Sequence, residues 1–239
     1  MRTWATFTSV NNEQYSAKSF LLKYVFGKRL LLDEAMSKLL IASNNQGKLI
    51  EIKALLGDMG VELLTPIQLH IKIEVDEVGK TYAENAALKG LAFAQVSGLL
   101  TLADDTGLEV DALNGLPGTR SARFAPQSDA TDADRRAYLL VRLIGMPRPW
   151  LARFRCTVAV VTPSGNAHFA EGVCEGEITP QERGRHGFGY DPIFMISGLN
   201  RTMAELSMGE KNRLSHRARA IRAARPVLED MLTSERFKK

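Results

Sequence analysis

An apolar run, Leu99-Leu100-Thr101-Leu102-Ala103, ends on two adjacent aspartates, Asp104 and Asp105. The run reads as a buried strand. Adjacent like charges are costly to bring together unless a cation or a substrate group shares them. The pair therefore marks the point where a strand leaves the core, a common place for a binding cleft in an α/β protein. Magnesium suits such a place, because it takes oxygen ligands and borrows several from substrate phosphates. A phosphate-handling magnesium site is the first expectation, and the chain must then supply phosphate binders elsewhere.

Strand-like and helix-spaced segments alternate around this run. Residues 39–43 read as a buried strand, and 46–59 as a helix with Leu49, Ile52, Leu55 and Leu56 on one face, stopped by Gly60. Short strands are expected at 61–64 and 71–75, a helix at 82–96, and strands at 99–103 and 108–113. Gly115, Pro117 and Gly118 mark a loop. Thr131 can cap a helix reaching Ile144. Residues 154–161 and 168–178 read as antiparallel partners across the turn Pro163-Ser164-Gly165-Asn166. A glycine-bearing loop leads to Pro192-Ile193-Phe194-Met195, and a last helix spans 211–232, with Pro226 expected to kink it. The alternation, with a hairpin in its middle, indicates a mixed-sheet α/β fold.

The 239 residues carry a formal net charge of +4, which mildly favours an anionic partner without separating nucleic acid from a small polyphosphate. Cys156 and Cys174 read as buried free thiols of a reducing, cytoplasmic setting. The longest apolar candidate, 20–32, is broken by Lys23, Lys28 and Arg29, so no membrane partner is expected. Residues 1–35, rich in Ser, Thr and basic residues, read as a loosely ordered extension, with a targeting segment as the alternative. The folded domain is expected over 36–239.

Several short constellations can carry chemistry. Ser43-Asn44-Asn45-Gln46-Gly47-Lys48 joins a strand to a helix start, where free backbone amides and a partial positive charge suit a phosphate. The same residues also fit ordinary helix capping. Neither Gly47-Lys48 nor Gly79-Lys80-Thr81 completes a P-loop, because Ala42 and Glu74 stand where glycine is required. Any of Glu74, Asp76 and Glu77 can complete a metal site with Asp105. Lys89 lies among small residues, so its stem can cross apolar surface to reach a cleft. In Gly187-Phe188-Gly189-Tyr190-Asp191-Pro192 the glycines allow close approach and the aromatic faces can stack on a base. Ser215-His216-Arg217, with Lys211 upstream, offers donors to a ligand.

Taken in order, Ser43 to Lys48, Glu84-Asn85-Ala86-Ala87-Leu88-Lys89, Ala103-Asp104-Asp105-Thr106-Gly107-Leu108, Gly187 to Phe194 and Leu214-Ser215-His216-Arg217 resemble the inosine triphosphate pyrophosphatases, also called the Ham1 or RdgB family. The match spans about residues 38–232. The resemblance implies magnesium-dependent hydrolysis of non-standard purine nucleoside triphosphates (inosine, deoxyinosine and xanthosine) to monophosphate and pyrophosphate. It also implies a homodimer and an elongated, two-lobed fold with a central cleft. Ser43, Asn44, Asn45, Gln46, Gly47 and Lys48 match the family's phosphate loop. Asp105 matches its general base and metal-associated aspartate, and Glu77 its metal-side glutamate. Lys89 and Lys211 match phosphate- and substrate-contacting lysines. Phe188, Gly189, Tyr190, Asp191, His216 and Arg217 match the base pocket, and Thr106 keeps a hydroxyl where serine is common.

In an extended segment neighbouring side chains point to opposite faces, so Asp105 is assigned to the metal and Asp104 to orienting a neighbour. Donors from Arg217, His216 or loop amides would pair with a 6-oxo group and reject adenine. On that reading Arg217→Ala raises the Michaelis constant more than it lowers turnover. The tandem aspartates and the Ser-His-Arg segment argue against a Maf-type pyrophosphatase. A nucleic-acid binder is disfavoured because Arg219 and Arg222 share one helix face and Arg213 and Arg217 another, leaving no single basic stripe. A catalytically silent nucleotide sensor is the remaining alternative.

Overall fold

The computed structural model describes residues 36–236. The expected extension over 1–35 lies outside them. β1 (Lys38–Ile41) is buried after its first residue and runs parallel to β2 (Glu62–Leu64) on one side and β3 (Thr101–Val110) on the other. Parallel neighbours need crossovers. α1 (Gln46–Leu56) and α2 (Tyr82–Ser97) supply them. From β3 onward the pairing is antiparallel, through β5 (Trp150–Val161), β6 (Ala167–Ile178) and β7 (Phe194–Ile196). β4 (Pro117–Gly118) adds a short strand beside β3, giving a seven-stranded mixed sheet in the order β2-β1-β3-β5-β6-β7. Among the described residues three further α-helices follow: α3 (Asp132–Leu143), α4 (Met208–Leu214) and α5 (His216–Arg236).

Most apolar side chains in and beside the long strands divide between two larger cores. Leu100, Leu102, Val158 and Val160 pack with Ile52 and Leu56 of α1 and with Ile221, Ala224 and Leu228 of α5. Leu108, Val110, Ala152 and Phe154 pack with Leu139 and Leu143 of α3 and with Phe194. Complete burial of a side chain such as Ile52 or Leu139 stabilises by about 1.5–3 kcal/mol, which seats each helix firmly. Between the two cores β3 carries Asp104-Asp105-Thr106. The carboxylates thus stand at the seam where the apolar stripe of the sheet is interrupted.

Local differences from the sequence expectations have physical causes. Residues 71–75 alternate in burial as a strand would, with Ile71, Ile73 and Val75 against a small core, but among the described residues no strand pairs with them. The two strands expected at 99–103 and 108–113 are one, because β5 pairs with β3 without a break from Thr101↔Val161 to Val110↔Ala152. α1 ends at Leu56 rather than near Met59. The last helix breaks at Ser215, not at Pro226. Ser215 adopts an extended backbone (φ −66°, ψ 156°), and its hydroxyl accepts the Ala218 amide at 3.2 Å, starting a new helix. Pro226 lies inside α5, whose buried Ile221, Leu228 and Leu232 anchor the helix despite the lost amide. Gly172 on β6 permits this placement, since a Cβ there would come within 2.1 Å of the His216 carbonyl oxygen. The break and the close approach set His216 and Arg217 at the mouth of the seam.

Candidate active site

A cleft of about 520 Å³ opens at the seam. One wall is the turn after β1. Ser43 Oγ accepts the Asn45 amide at 3.2 Å, and the Asn45 side chain accepts the Lys48 amide at 3.1 Å, capping α1. Ser43, Asn44, Asn45 and Lys48 line the cleft, while Gln46 and Gly47 lie outside its lining. Gly47 has a different task. A Cβ at that position would meet the Phe188 ring at 2.4 Å, so the glycine makes room for the aromatic.

The floor is β3. Lys48 Nζ lies 3.0 Å from Asp104 Oδ2, and Lys89 Nζ donates to the Asp104 carbonyl at 3.0 Å. Lys89 also pairs with Glu77 Oε1 at 2.5 Å. The two aspartates face different partners. Asp104 turns to α5 and receives Arg217 Nε at 3.2 Å and the Thr106 hydroxyl at 3.0 Å. Asp105 turns to α2, and accepts from Asn85 Nδ2 at 3.0 Å and from the Thr106 amide at 2.8 Å. Their titrations diverge accordingly. Burial pushes the Asp105 carboxyl above its usual range and the charge of Glu77 adds to this, against Asn85, Lys48 and Lys89. Burial also opposes the charge on Asp104, but Lys48, Arg217 and Lys89 together hold it far below the usual carboxylate range. Burial disfavours the Lys89 charge, yet Asp104 and Glu77 raise its pKa on balance, so it stays protonated.

The opposite wall is the 187–191 loop with α4 and the start of α5. The Phe188 amide donates to Asp191 Oδ2 at 2.9 Å, and Lys211 Nζ pairs with the same oxygen at 2.5 Å. Lys211 Nζ and Arg217 Cζ lie 5.0 and 5.6 Å from the Phe188 ring centroid, within cation–π range. The Tyr190 hydroxyl donates to the Ser121 carbonyl at 2.9 Å. His216 stacks on Phe154 with ring centroids 4.6 Å apart. Its burial, with the charges of Arg217 and Lys211, drives its pKa well below 6.5, so the ring is neutral at pH 7. Its buried Nδ1 has no hydrogen-bond partner among the described residues. A neutral imidazole presents one donor and one acceptor rather than two donors.

Arg217 also differs from expectation. It lines the cleft, but each of its nitrogens has an internal acceptor: Nε on Asp104, Nη1 on Glu51 and Nη2 on the Thr106 hydroxyl. Glu51 was not singled out in the sequence. It is 2% exposed, and also pairs with Lys211 Nζ at 2.6 Å. The signal for it was present, since Glu51 follows Lys48 by three positions and precedes Leu55 by four, a charge on the inward face of α1. Asn85 carries a similar signal, four positions before Lys89 on a small-residue helix.

Of the other residues expected at a site, Glu77, Lys89, Asp105, Thr106, Phe188, Gly189, Tyr190, Asp191, Lys211 and His216 share the cleft, as do Glu74 and Asp76. Asp104 sits behind it, 1% exposed. Asp132 and Arg135 of α3 also reach the lining, and nothing in the sequence pointed to them. Among the described residues no group of three His, Cys, Asp or Glu side chains gathers as a metal cluster, and no helix is long and apolar enough to cross a membrane.

Comparison with known proteins places this arrangement. A family described as the Ham1 family matches residues 39–227. A protein of Desulforamulus reducens named dITP/XTP pyrophosphatase is 46% identical over 194 residues, covering 80% of this chain and 95% of its own. A protein of the same name from Geobacter sulfurreducens is 44% identical over 187 residues, 78% of this chain and 94% of its own. Among solved structures, a HAM1 protein from Coxiella burnetii superposes with a TM-score of 0.73 at 38% identity, covering 83% of this chain and 100% of that one. The dITP/XTP pyrophosphatase structure from Mycobacterium abscessus gives 0.63 at 42% identity, with 80% and 99% covered. The match runs from β1 into α5 and so includes every wall of the cleft: this chain belongs to the Ham1 family.

Proposed function

We propose that the protein hydrolyses non-standard purine nucleoside triphosphates, those of inosine, deoxyinosine and xanthosine, to the monophosphate and pyrophosphate. The observation that supports this most is the sharing of one cleft. A carboxylate with a raised pKa and two lysines, Lys48 and Lys89, lie on one side, and an aromatic loop with a neutral histidine lies on the other. The relatives' names agree with it. The reading extends to a magnesium-dependent homodimer acting on the cytoplasmic nucleotide pool, with no nucleic-acid or membrane partner.

The donors present fit magnesium. Glu77 and Asp105 are hard oxygen donors on one cleft, and the charge of Glu77, even paired with Lys89, adds to what disfavours ionisation of Asp105. When bound, the ion would neutralise triphosphate oxygens and polarise the phosphorus, with most remaining ligands from substrate and water. The chain's own groups do the rest. Asp105 takes the proton of the water that attacks the α-phosphorus, and a pKa raised toward neutrality suits that task. Lys48 and Lys89 stabilise charge on the departing pyrophosphate. Asp104 positions Lys48 and Arg217. Phe188 offers a ring for the base to stack on. With the Arg217 nitrogens and the Phe188, Gly189 and Asp191 amides all engaged, His216 offers a donor for a 6-oxo group, and adenine's amino group would face a donor there.

Pyrophosphate release from a panel of inosine, deoxyinosine, xanthosine, adenosine, guanosine, cytidine and uridine triphosphates, with magnesium and with chelator, tests the reading. Fast release confined to the first three and abolished by chelator is expected. Preference for pyrimidines would instead support a Maf-type enzyme, and no release from any would leave a sensor. Gly47→Ala should raise the Michaelis constant for inosine triphosphate, because the new methyl displaces the Phe188 ring. An overpacking cost of about 1–3 kcal/mol corresponds to roughly 5- to 150-fold. An unchanged constant would show that Phe188 does not serve the nucleotide.

A further inference from the structure

α3 gives no side chain to the phosphate loop or to the aspartates, yet its first turns grip the aromatic loop. Asp132 Oδ2 accepts the Gly189 amide at 2.7 Å. Arg136 Nη1 donates to the Gly189 carbonyl at 2.9 Å. Positions 132 and 136 are one helical turn apart and share a face, so both groups reach the same glycine. Each is itself braced. The Arg136 guanidinium forks onto Glu182, with Nε at 2.7 Å and Nη2 at 3.0 Å from its two oxygens. Asp132 Oδ1 pairs with Arg135, whose Nη1 donates to the Ala130 carbonyl at 2.6 Å. The Arg136 side chain is only 12% exposed, while its Glu182 partner stays open to solvent.

The grip falls where the loop most needs it. Gly184, Gly187 and Gly189 give this segment a wide range of backbone conformations. Ordering one residue costs about 1–2 kcal/mol, a cost charged against ligand affinity if it is met only on binding. Phe188 precedes the clamped residue, and Tyr190 follows it, tied to Ser121. We propose that Asp132 and Arg136 are positioning residues that hold Gly189 from both sides and so preset Phe188 for the purine base. The inference rests on the nucleotide reading above, and assigns the base-side affinity to a helix that does not touch the phosphates.

Hydrogen exchange of the 187–191 amides, compared with those of β3 and β5, reads the clamp without any substrate. Asp132→Ala and Arg136→Ala should speed exchange in the loop about tenfold while the strands keep their protection. Asp132→Asn keeps an acceptor for the Gly189 amide and should stay near the parent. Kinetics read the consequence. Arg136→Ala should raise KM for inosine triphosphate about tenfold with kcat within about twofold. The inhibition constant of inorganic tripolyphosphate, which has no base, should not move, and Arg136→Lys should recover part of the loss. Unchanged loop exchange in both alanine variants overturns the proposal. So does a parallel rise of KM and the tripolyphosphate constant, which marks a merely structural helix. A parent protein that hydrolyses no purine triphosphate would overturn the functional reading and the base-seating role with it, while the exchange data would still decide whether the clamp exists.

Discussion

Asp105→Asn is expected to lower turnover of inosine triphosphate by about 10²–10⁴-fold, the range a positioned general base supplies, while the protein stays folded. The side chain is 5% exposed and its carboxylate accepts from Asn85 and the Thr106 amide. An amide of the same shape keeps the packing and removes the proton acceptor. The fold should not suffer, because burial raises the Asp105 pKa. A group with a raised folded pKa contributes stability that is complete below its unfolded value and lost as pH rises through the folded one. At neutral pH the charge on Asp105 is therefore already a burden, and thermal denaturation of the variant should begin no lower than that of the parent. The same shift places the acidic limb of the parent's pH–rate profile above the ordinary carboxylate value. A purified variant with near-parental turnover would remove Asp105 from the role of base.

Arg217→Ala is expected to destabilise the fold by about 3–5 kcal/mol, the usual cost of stripping one partner from a buried ion pair. Two carboxylates, Glu51 and Asp104, lose a ligand at once, and both are 2% exposed or less. The dependence on acid follows from Asp104, whose pKa burial opposes but Lys48, Arg217 and Lys89 hold far below its ordinary 3.8. Stability from such a group is complete above 3.8 and drains away as pH falls below it. The parent should therefore lose stability steeply below about pH 4, and the variant, already weaker, should lose less across the same window. Arg217→Lys should recover little, because an ammonium cannot reach Asp104, Glu51 and Thr106 together. Urea denaturation at pH 7 and at pH 3 reads both effects. A variant of parental stability would show that these buried pairs do not hold the fold, and would leave Arg217 as the base-pocket donor expected from sequence.

What the sequence determined by itself is what spacing determines. The 3.6-residue recurrence of Leu49, Ile52 and Leu56 set α1, and the residues that cap it were visible as Ser43-Asn44-Asn45. Two-residue alternation was enough to send Asp104 and Asp105 to different partners, because the backbone of an extended strand allows nothing else. The order of five short motifs sufficed for the family. Residues 71–75 show the limit of the same signal. Their alternation is real, but a strand needs a neighbour, and no neighbour can be read from spacing.

Only the tertiary structure decided which charges meet. Glu51 and Arg217 are 166 positions apart, and Asp132 and Gly189 are 57 apart. No local pattern links them, since the contact exists only after α5 docks on the sheet and the glycine loop folds against α3. That docking takes Arg217 from a free donor to a buried, fully engaged one, and holds His216 neutral. Burial and distance, not residue type, set which groups titrate, which position and which remain open to a ligand.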